Sequence, residues 1–584
     1  LLATRLRETS VTLTRIIAVV MAAASLAQGA ASPVQAESAG AYLAARQAGY
    51  DNNFAAAAEY YVQALTRDLN NPGLMEAAVV STLGLGDVAR SETIATRFSD
   101  KGFEGQVPQM VLLATAAQRG DWAGVLSWIE AKAGAGPLVD GLLGAWARVG
   151  QGQMSEALKA FDAVAEQRGL EAFALYHKAL ALASAGDFEG AEAIFANPRT
   201  APLMLTRRAV MVRSLVLGQL GRGAEAQAIF DDSFGSDLDP ELKLMRDFLA
   251  SGEAAPFTIL RSATDGAAEV FFTVASALSS DAGDDYTLLY ARLAEYLRPD
   301  HVEALLLSAR LLDGLEQFDL AVTAYRRVPA DHPSIHAAEL GRAEALRRTG
   351  KVDAAVEVLL ALTKSHGDLA VVHVTLGDVM RQLERYDDAA ESYSKAMAIY
   401  GAPQPEQWFV YYARAIAYER QGKWPEAEAD FRQALLLNPD QPQILNYLGY
   451  SLVEKNEKLE EALEMIQRAV ALRPDSGYIL DSLGWALYRL GKYDEAVGHM
   501  ERAAELMAVD PVVNDHLGDV LWAVGRKREA EFQWRRALSF VDKANDSGDV
   551  DPERMRRKLE VGLDQVLKEE GAPPLKVANG TGGN

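Results

Sequence analysis

A chain of 584 residues that is 49% hydrophobic and 24% charged has a globular composition, not that of a disordered chain. Its 58 basic and 81 acidic residues leave a net charge of −23 with no basic block, which argues against nucleic acid and anionic lipid surfaces as partners. There is no cysteine, so disulfides, thiolate nucleophiles, thiolate metal sites and a lipid-modified cysteine are all excluded.

The first 36 residues differ from the rest. Arg5, Arg7 and Arg15 lead into "IIAVVMAAASLA", and "SPVQA" places small residues at Val34 and Ala36. A basic lead, an apolar run too short to span a bilayer and a small-x-small site predict a secretory signal peptide over residues 1–36, cleaved after Ala36. The competing reading, an uncleaved anchor, is disfavoured by the short run with Gln28 close behind it. Cleavage removes three arginines and one glutamate and takes the charge from −23 to −25. The expected product is soluble, exported to the periplasm of a Gram-negative cell, and without a stable membrane anchor.

Residues 37–268 read as a divergent repeat array. Ala157, Ala191 and Ala226 recur at close to 34 residues, each followed four positions later by Phe161, Phe195 or Phe230. Ala57 with Tyr61 fits as well, and Ser91 and Val125 fit less clearly. The period fails from about Asp231 to Ala268, which reads as a shortened unit or a kink between two subarrays. Gly84-x-Gly86-x-x-Ala89 and Gly221-x-Gly223-x-x-Ala226 resemble a dinucleotide fingerprint. That fingerprint needs a strand feeding a helix, and both stretches fall in helix–helix turns instead.

Residues 269–545 form a regular array. Ala321, Ala355, Ala389, Ala427, Ala462, Ala496 and Ala530 are separated by 34, 34, 38, 35, 34 and 34 residues. Four positions after them stand Tyr325, Leu359, Tyr393, Phe431, Ile466, Met500 and Trp534. A small residue comes twelve or thirteen positions before most of them, including Gly377, Gly449, Gly484 and Gly518. Each unit therefore predicts two short antiparallel helices with a tight turn. A close approach of the two requires almost no side chain on the facing positions, and Gly484 with Ala496 are the expected pair. The helical cost of that glycine, about 1 kcal/mol, is offset by packing. His332 and His336 in "HPSIH" share a helical spacing that suits a metal, but Pro333 and the lack of nearby carboxylates favour a solvated helix start. No phosphate loop, zinc-protease motif or serine-nucleophile motif occurs, so neither an enzyme nor a cofactor is expected. Beyond the array, "PERMRRKLEVGLDQVL" predicts an amphipathic capping helix within 546–568, followed by a disordered tail over 569–584.

The small–twelve–small spacing, the ring four residues on and the 34-residue period resemble the tetratricopeptide repeat, most strongly from about Phe271 to Phe540. The resemblance implies an all-α fold: a right-handed superhelical solenoid of about fifteen helix–turn–helix repeats. It further implies that first helices line a concave groove. Carrying the family's groove positions over by their offset from the marker glycine gives Tyr412, Asn446, Tyr450, Asp481, Trp485, Tyr488, Asp515, Asp519 and Trp522. Rings interleaved with polar groups suit capture of a protein or peptide segment. An equal reading has Trp485 and Trp522 packing between adjacent helices. The stretches "NYLGYSLVEKNEKLEEALEMIQRAVALRPDSGYILDSLGWALYRLG" and "HLGDVLWAVGRKREAEFQWRRAL" resemble the outer-membrane repeat lipoproteins that act as adaptors for a carboxyl-terminal processing protease. This resemblance implies a non-catalytic envelope adaptor with that protease as partner, although the lipid-anchor cysteine of that family is missing. The alternative is a component of a secretion or exopolysaccharide-assembly machinery.

Overall fold

The computed structural model describes residues 33–131, 134–200, 206–235, 238–252, 256–541 and 550–575. Most of the expected leader, residues 1–32, and the end of the expected tail, residues 576–584, lie outside the described residues. Among the described residues every regular element is a helix, and nearly all helices pair with the next as antiparallel hairpins. The all-α repeat fold expected from the 34-residue period is the fold observed. No described helix is long and apolar enough to cross a membrane.

The turns explain why the hairpins form where they do. Asp87, Asp121 and Asp187 each cap a second helix by accepting a backbone N–H three residues on. Gly86 closes the Pro72–Leu85 helix in the left-handed conformation, at φ 92°. The glycine-rich stretches at Gly84 and Gly221 are therefore turns between helices, with no strand before them.

The close contact within each hairpin differs in one detail from the expectation. The space above the glycine is filled not by the alanine but by the large residue four positions after it. A Cβ on Gly377 would meet Tyr393 at 2.7 Å, on Gly484 Met500 at 2.3 Å, and on Gly518 Trp534 at 2.4 Å. Gly449 is the exception in part, since Ala462 O at 3.1 Å joins Ile466 at 2.7 Å. Ala389, Ala427, Ala462, Ala496 and Ala530 are completely buried beside these rings. The large residue thus packs inside its own unit, because a helix without a side chain at that point leaves a hole of ring size.

Contacts divide the chain into two compact units, residues 1–362 and 363–584. The expected boundary between arrays at 268/269 falls inside the first. There the repeat stops after Gly223–Phe234, a lone helix Pro240–Ser251 follows, and the chain turns back. The next hairpin, Ala263–Leu278 with Asp284–Leu297, packs on the first helices of four earlier units: Pro72–Leu85, Gln106–Gln118, Pro137–Gly150 and Glu171–Ser184. It occupies the face that the resemblance assigned to ligand.

The second unit holds five hairpins, from Ala370–Gln382 to Lys527–Phe540. Where one C-terminal helix was expected there are two, Pro552–Val561 and Leu563–Glu569, broken at Gly562 with φ 80°. The break is packed rather than loose: a side chain at Gly562 would strike the Trp522 ring at 2.5 Å.

Candidate protein-interaction surface

The folded-back hairpin is held in the first unit by an almost dry polar network. Arg208 makes a two-pronged ion pair with Glu269 at 2.6 and 2.7 Å and a further one with Glu303. Tyr176 donates to the same Glu269 carboxylate at 3.1 Å, and the His301 ring lies 3.4 Å from it. Burial would raise the Glu269 carboxyl, but Arg208 and His301 outweigh it and hold it well below the usual range. Further along the hairpin, Tyr286 donates to Gln106 at 2.9 Å and Arg292 to the Gly84 carbonyl at 3.2 Å. Gly266 lets the helix settle on Trp146, whose indole N–H donates to the buried His177 at 3.1 Å. Four polar anchors and a glycine contact hold the hairpin on this inner face.

In the second unit the nine predicted groove residues divide into three groups. Asp515, Asp519 and Trp522 are occupied by the C-terminal helices. Lys558 is fully buried, 2.9 Å from both Asp515 oxygens and 2.6 Å from Asp519, with its ammonium 5.6 Å from the Trp534 ring centre. Asp519 also accepts the Trp534 indole N–H at 2.9 Å, and Trp522 donates to Asp564 at 3.0 Å. The expectation that these carboxylates face an open groove is thereby corrected: both pair with Lys558, and Asp519 also lies 3.5 Å from Arg554.

Asp481, Trp485 and Tyr488 form a second group, tied to the neighbouring unit. His516 lies 3.0 Å from Asp481 and stacks on Trp485, with ring centres 4.0 Å apart. Trp485 stacks in turn on Tyr488, which is 8% exposed and therefore no groove ring. Burial opposes a charge on His516, but Asp481 outweighs it and raises the histidine above its usual value.

Tyr412, Asn446 and Tyr450 make the third group. Tyr412 packs among Phe431, Tyr447 and Trp408, and burial raises its phenol to about 12. Asn446 is buried, and Tyr450 is half-buried. His332 and His336 are not a solvated pair either. His332 accepts the Ser334 N–H at 3.1 Å, while His336 is buried in the first unit. Among the described residues, no three metal-ligating side chains are arranged around a common point.

The exposed line lies elsewhere, six residues before each marker. Val371, Phe409 and Tyr478 stand at that position and are 45%, 42% and 47% exposed. The unit between the last two has Gln443 there, and its Oε1, like Oδ1 of the neighbouring Asn446, is buried without a hydrogen-bond partner among the described residues. Tyr478 is near enough to Tyr412 for the two phenols to interact. Sequence reasoning missed this position because it trusted offsets of three before and of one and four after the marker. The available signal was three large apolar residues recurring at one offset, in the first turn of helices whose core face was already full.

The tetratricopeptide-repeat family model matches residues 142–197, 306–370, 412–477 and 453–511, and a second model of the same description matches 368–437. Among solved structures, the chain is similar to the APC/C hetero-tetramer Cut9-Hcn1, at 14% identity over 89% of this chain and 95% of that one, with a TM-score of 0.37. It is similar to yeast Tom70, at 14% identity over 92% and 99%, with a TM-score of 0.32. A tetratricopeptide repeat protein from Parabacteroides merdae is 16% identical over 45% of this chain and 98% of its own, with a TM-score of 0.35. No curated protein matches the chain. The paired helices, the ring seated over each small residue and the family match together identify tetratricopeptide repeats over residues 142–197 and 306–511.

Proposed function

We propose that the protein is an exported, non-catalytic scaffold of the cell envelope that binds a protein segment along the first helices of its second unit. The observation that carries this reading is the pair of exposed rings Phe409 and Tyr478, at one position of the first helices. The amide oxygens of Gln443 and Asn446 between them are buried and take no part in the surface. The rings offer anchor area to an incoming chain. The sequence resemblance favours a carboxyl-terminal processing protease or its substrates as the partner, and the N-terminal segment favours the periplasm, with no stable anchor after cleavage. The alternative, a component of a secretion or exopolysaccharide-assembly machinery, rests on the same surface with a different occupant.

The test is capture from envelope extract on the immobilised full chain, followed by mass spectrometry, with Phe409→Ser/Tyr478→Ser as the comparison. A partner retained by the native chain should be lost by the double variant, each ring accounting for about 1–2 kcal/mol of binding. Asn446→Leu should leave that binding unchanged and the thermal midpoint level or raised, since it removes a buried unsatisfied acceptor. Retention unaffected by the two ring changes would place the partner elsewhere. N-terminal sequencing of the periplasmic protein tests export, with Glu37 as the expected first residue.

A further inference from the structure

The first unit contains a cavity of about 490 Å³ between the Ala263–Leu278 helix and the opening turns of Arg207–Gln219, Pro240–Ser251, Val302–Gly314 and Ile335–Arg348. That volume is within the ordinary range for small-molecule sites. We propose that it binds a small amphiphilic carboxylate, an anionic headgroup on an unbranched or lightly branched apolar body.

The residues are arranged with a polarity. Phe272 and Leu306 are half-buried and Leu307 is buried, and together they form an apolar floor. Ser276 stands one helical turn beyond Phe272, and Arg310 one turn beyond Leu306. Positions four apart on a helix share a face, so the hydroxyl and the guanidinium follow their apolar neighbours along the cavity towards its exposed end. The floor takes an apolar chain, and the far end takes a group that accepts hydrogen bonds.

The wall selects the charge of that group. Three arginines line the cavity, and two are already committed. Arg207 is paired with Asp239 and Glu241, and Arg208 with Glu269 and Glu303. Arg310 makes no ion pair or hydrogen bond among the described residues, and the Ser276 hydroxyl likewise has no partner there. One guanidinium and one hydroxyl suit a monoanion, and a carboxylate accepts from both. The four carboxylates of the wall disfavour a dianion such as a phosphate monoester. A cationic headgroup would meet Arg310 at the mouth.

The full chain titrated with decanoate, below its aggregation concentration, tests the site by isothermal calorimetry. One saturable site is expected. Arg310→Ala should weaken binding about tenfold, the loss typical of a hydrogen bond to a charged group. Arg310 is exposed, so this change leaves the fold intact. Leu306→Trp should fill the floor and abolish binding, with circular dichroism confirming its helix content. Methyl decanoate, which lacks the charge, should bind the native chain and Arg310→Ala alike. Absence of saturable heat with the native chain, or affinity unchanged in either variant, overturns the proposal. The strip on the second unit is unaffected by either result.

Discussion

The two units use one repeat to opposite ends. In the first, the face formed by first helices is covered by a later hairpin of the same chain, clamped through Arg208, Glu269 and Tyr176. In the second, the equivalent face keeps exposed rings at Phe409 and Tyr478, and its last hairpin is covered by the helix carrying Lys558. A repeat that cannot bury its inner face alone either folds its own chain onto that face or leaves it to a partner. The charged groups show the same division. Buried pairs fix the first unit's hairpin, whereas the exposed positions of the second are apolar rings.

Releasing the hairpin should affect the two units unequally. Glu269→Ala leaves Arg208 buried without its two-pronged partner and should cost about 3–5 kcal/mol. Hydrogen exchange should then rise together in Gln106–Gln118, Pro137–Gly150 and the hairpin, while Gly477–Arg489 and Pro511–Ala523 stay protected. Equal loss of protection in both units would show that the network does not secure the hairpin alone.

The histidines respond to pH with opposite sign. His177 is buried and neutral, and burial lowers its pKa from 6.5 to about 4. The unfolded chain takes up the proton first, so stability falls as pH drops from about 6.5 to 4, by on the order of 3 kcal/mol. His516 is raised by Asp481. Its contribution is complete below about 6.5 and is lost as pH rises through its folded value. Urea unfolding between pH 4 and 8, followed in His177→Asn and Asp481→Asn, should flatten one slope each. A shared slope would contradict the assignment of the two rings.

The smallest expected effect compares contacts within the second unit. Gly518→Ala drives a methyl into the rigid Trp534 ring, fixed by its bond to Asp519, and should cost about 1–3 kcal/mol. Gly484→Ala meets the flexible end of Met500 and should cost less. The exposed Lys492→Ala should stay within about 0.5 kcal/mol. Thermal melts giving equal losses for the two glycines would mean that Trp534 yields as readily as a methionine.

The period made the helices and their pairing legible, since Gly377, Gly449, Gly484 and Gly518 each had a large residue at a fixed distance. The filled face of the first unit was not legible from the period. Its one sign was the helix "ATDGAAEVFFTVASAL", apolar nearly all round, which is the pattern of an element buried on every side. The period falters at the start of this helix, and spacing carries no information on what packs from a distance. Tyr488 and Asp519 were placed in an open groove for the same reason: an offset gives the face of a helix but not its neighbour.

Local sequence determined where helices start, stop and approach, because caps, glycines and rings act over one or two turns. Tertiary structure alone decided which inner face is closed and which is open. That choice depends on contacts such as Arg208 with Glu269 and Lys558 with Asp515, made between residues far apart in the chain. Their strength comes from shared burial, a property that neither residue carries by itself.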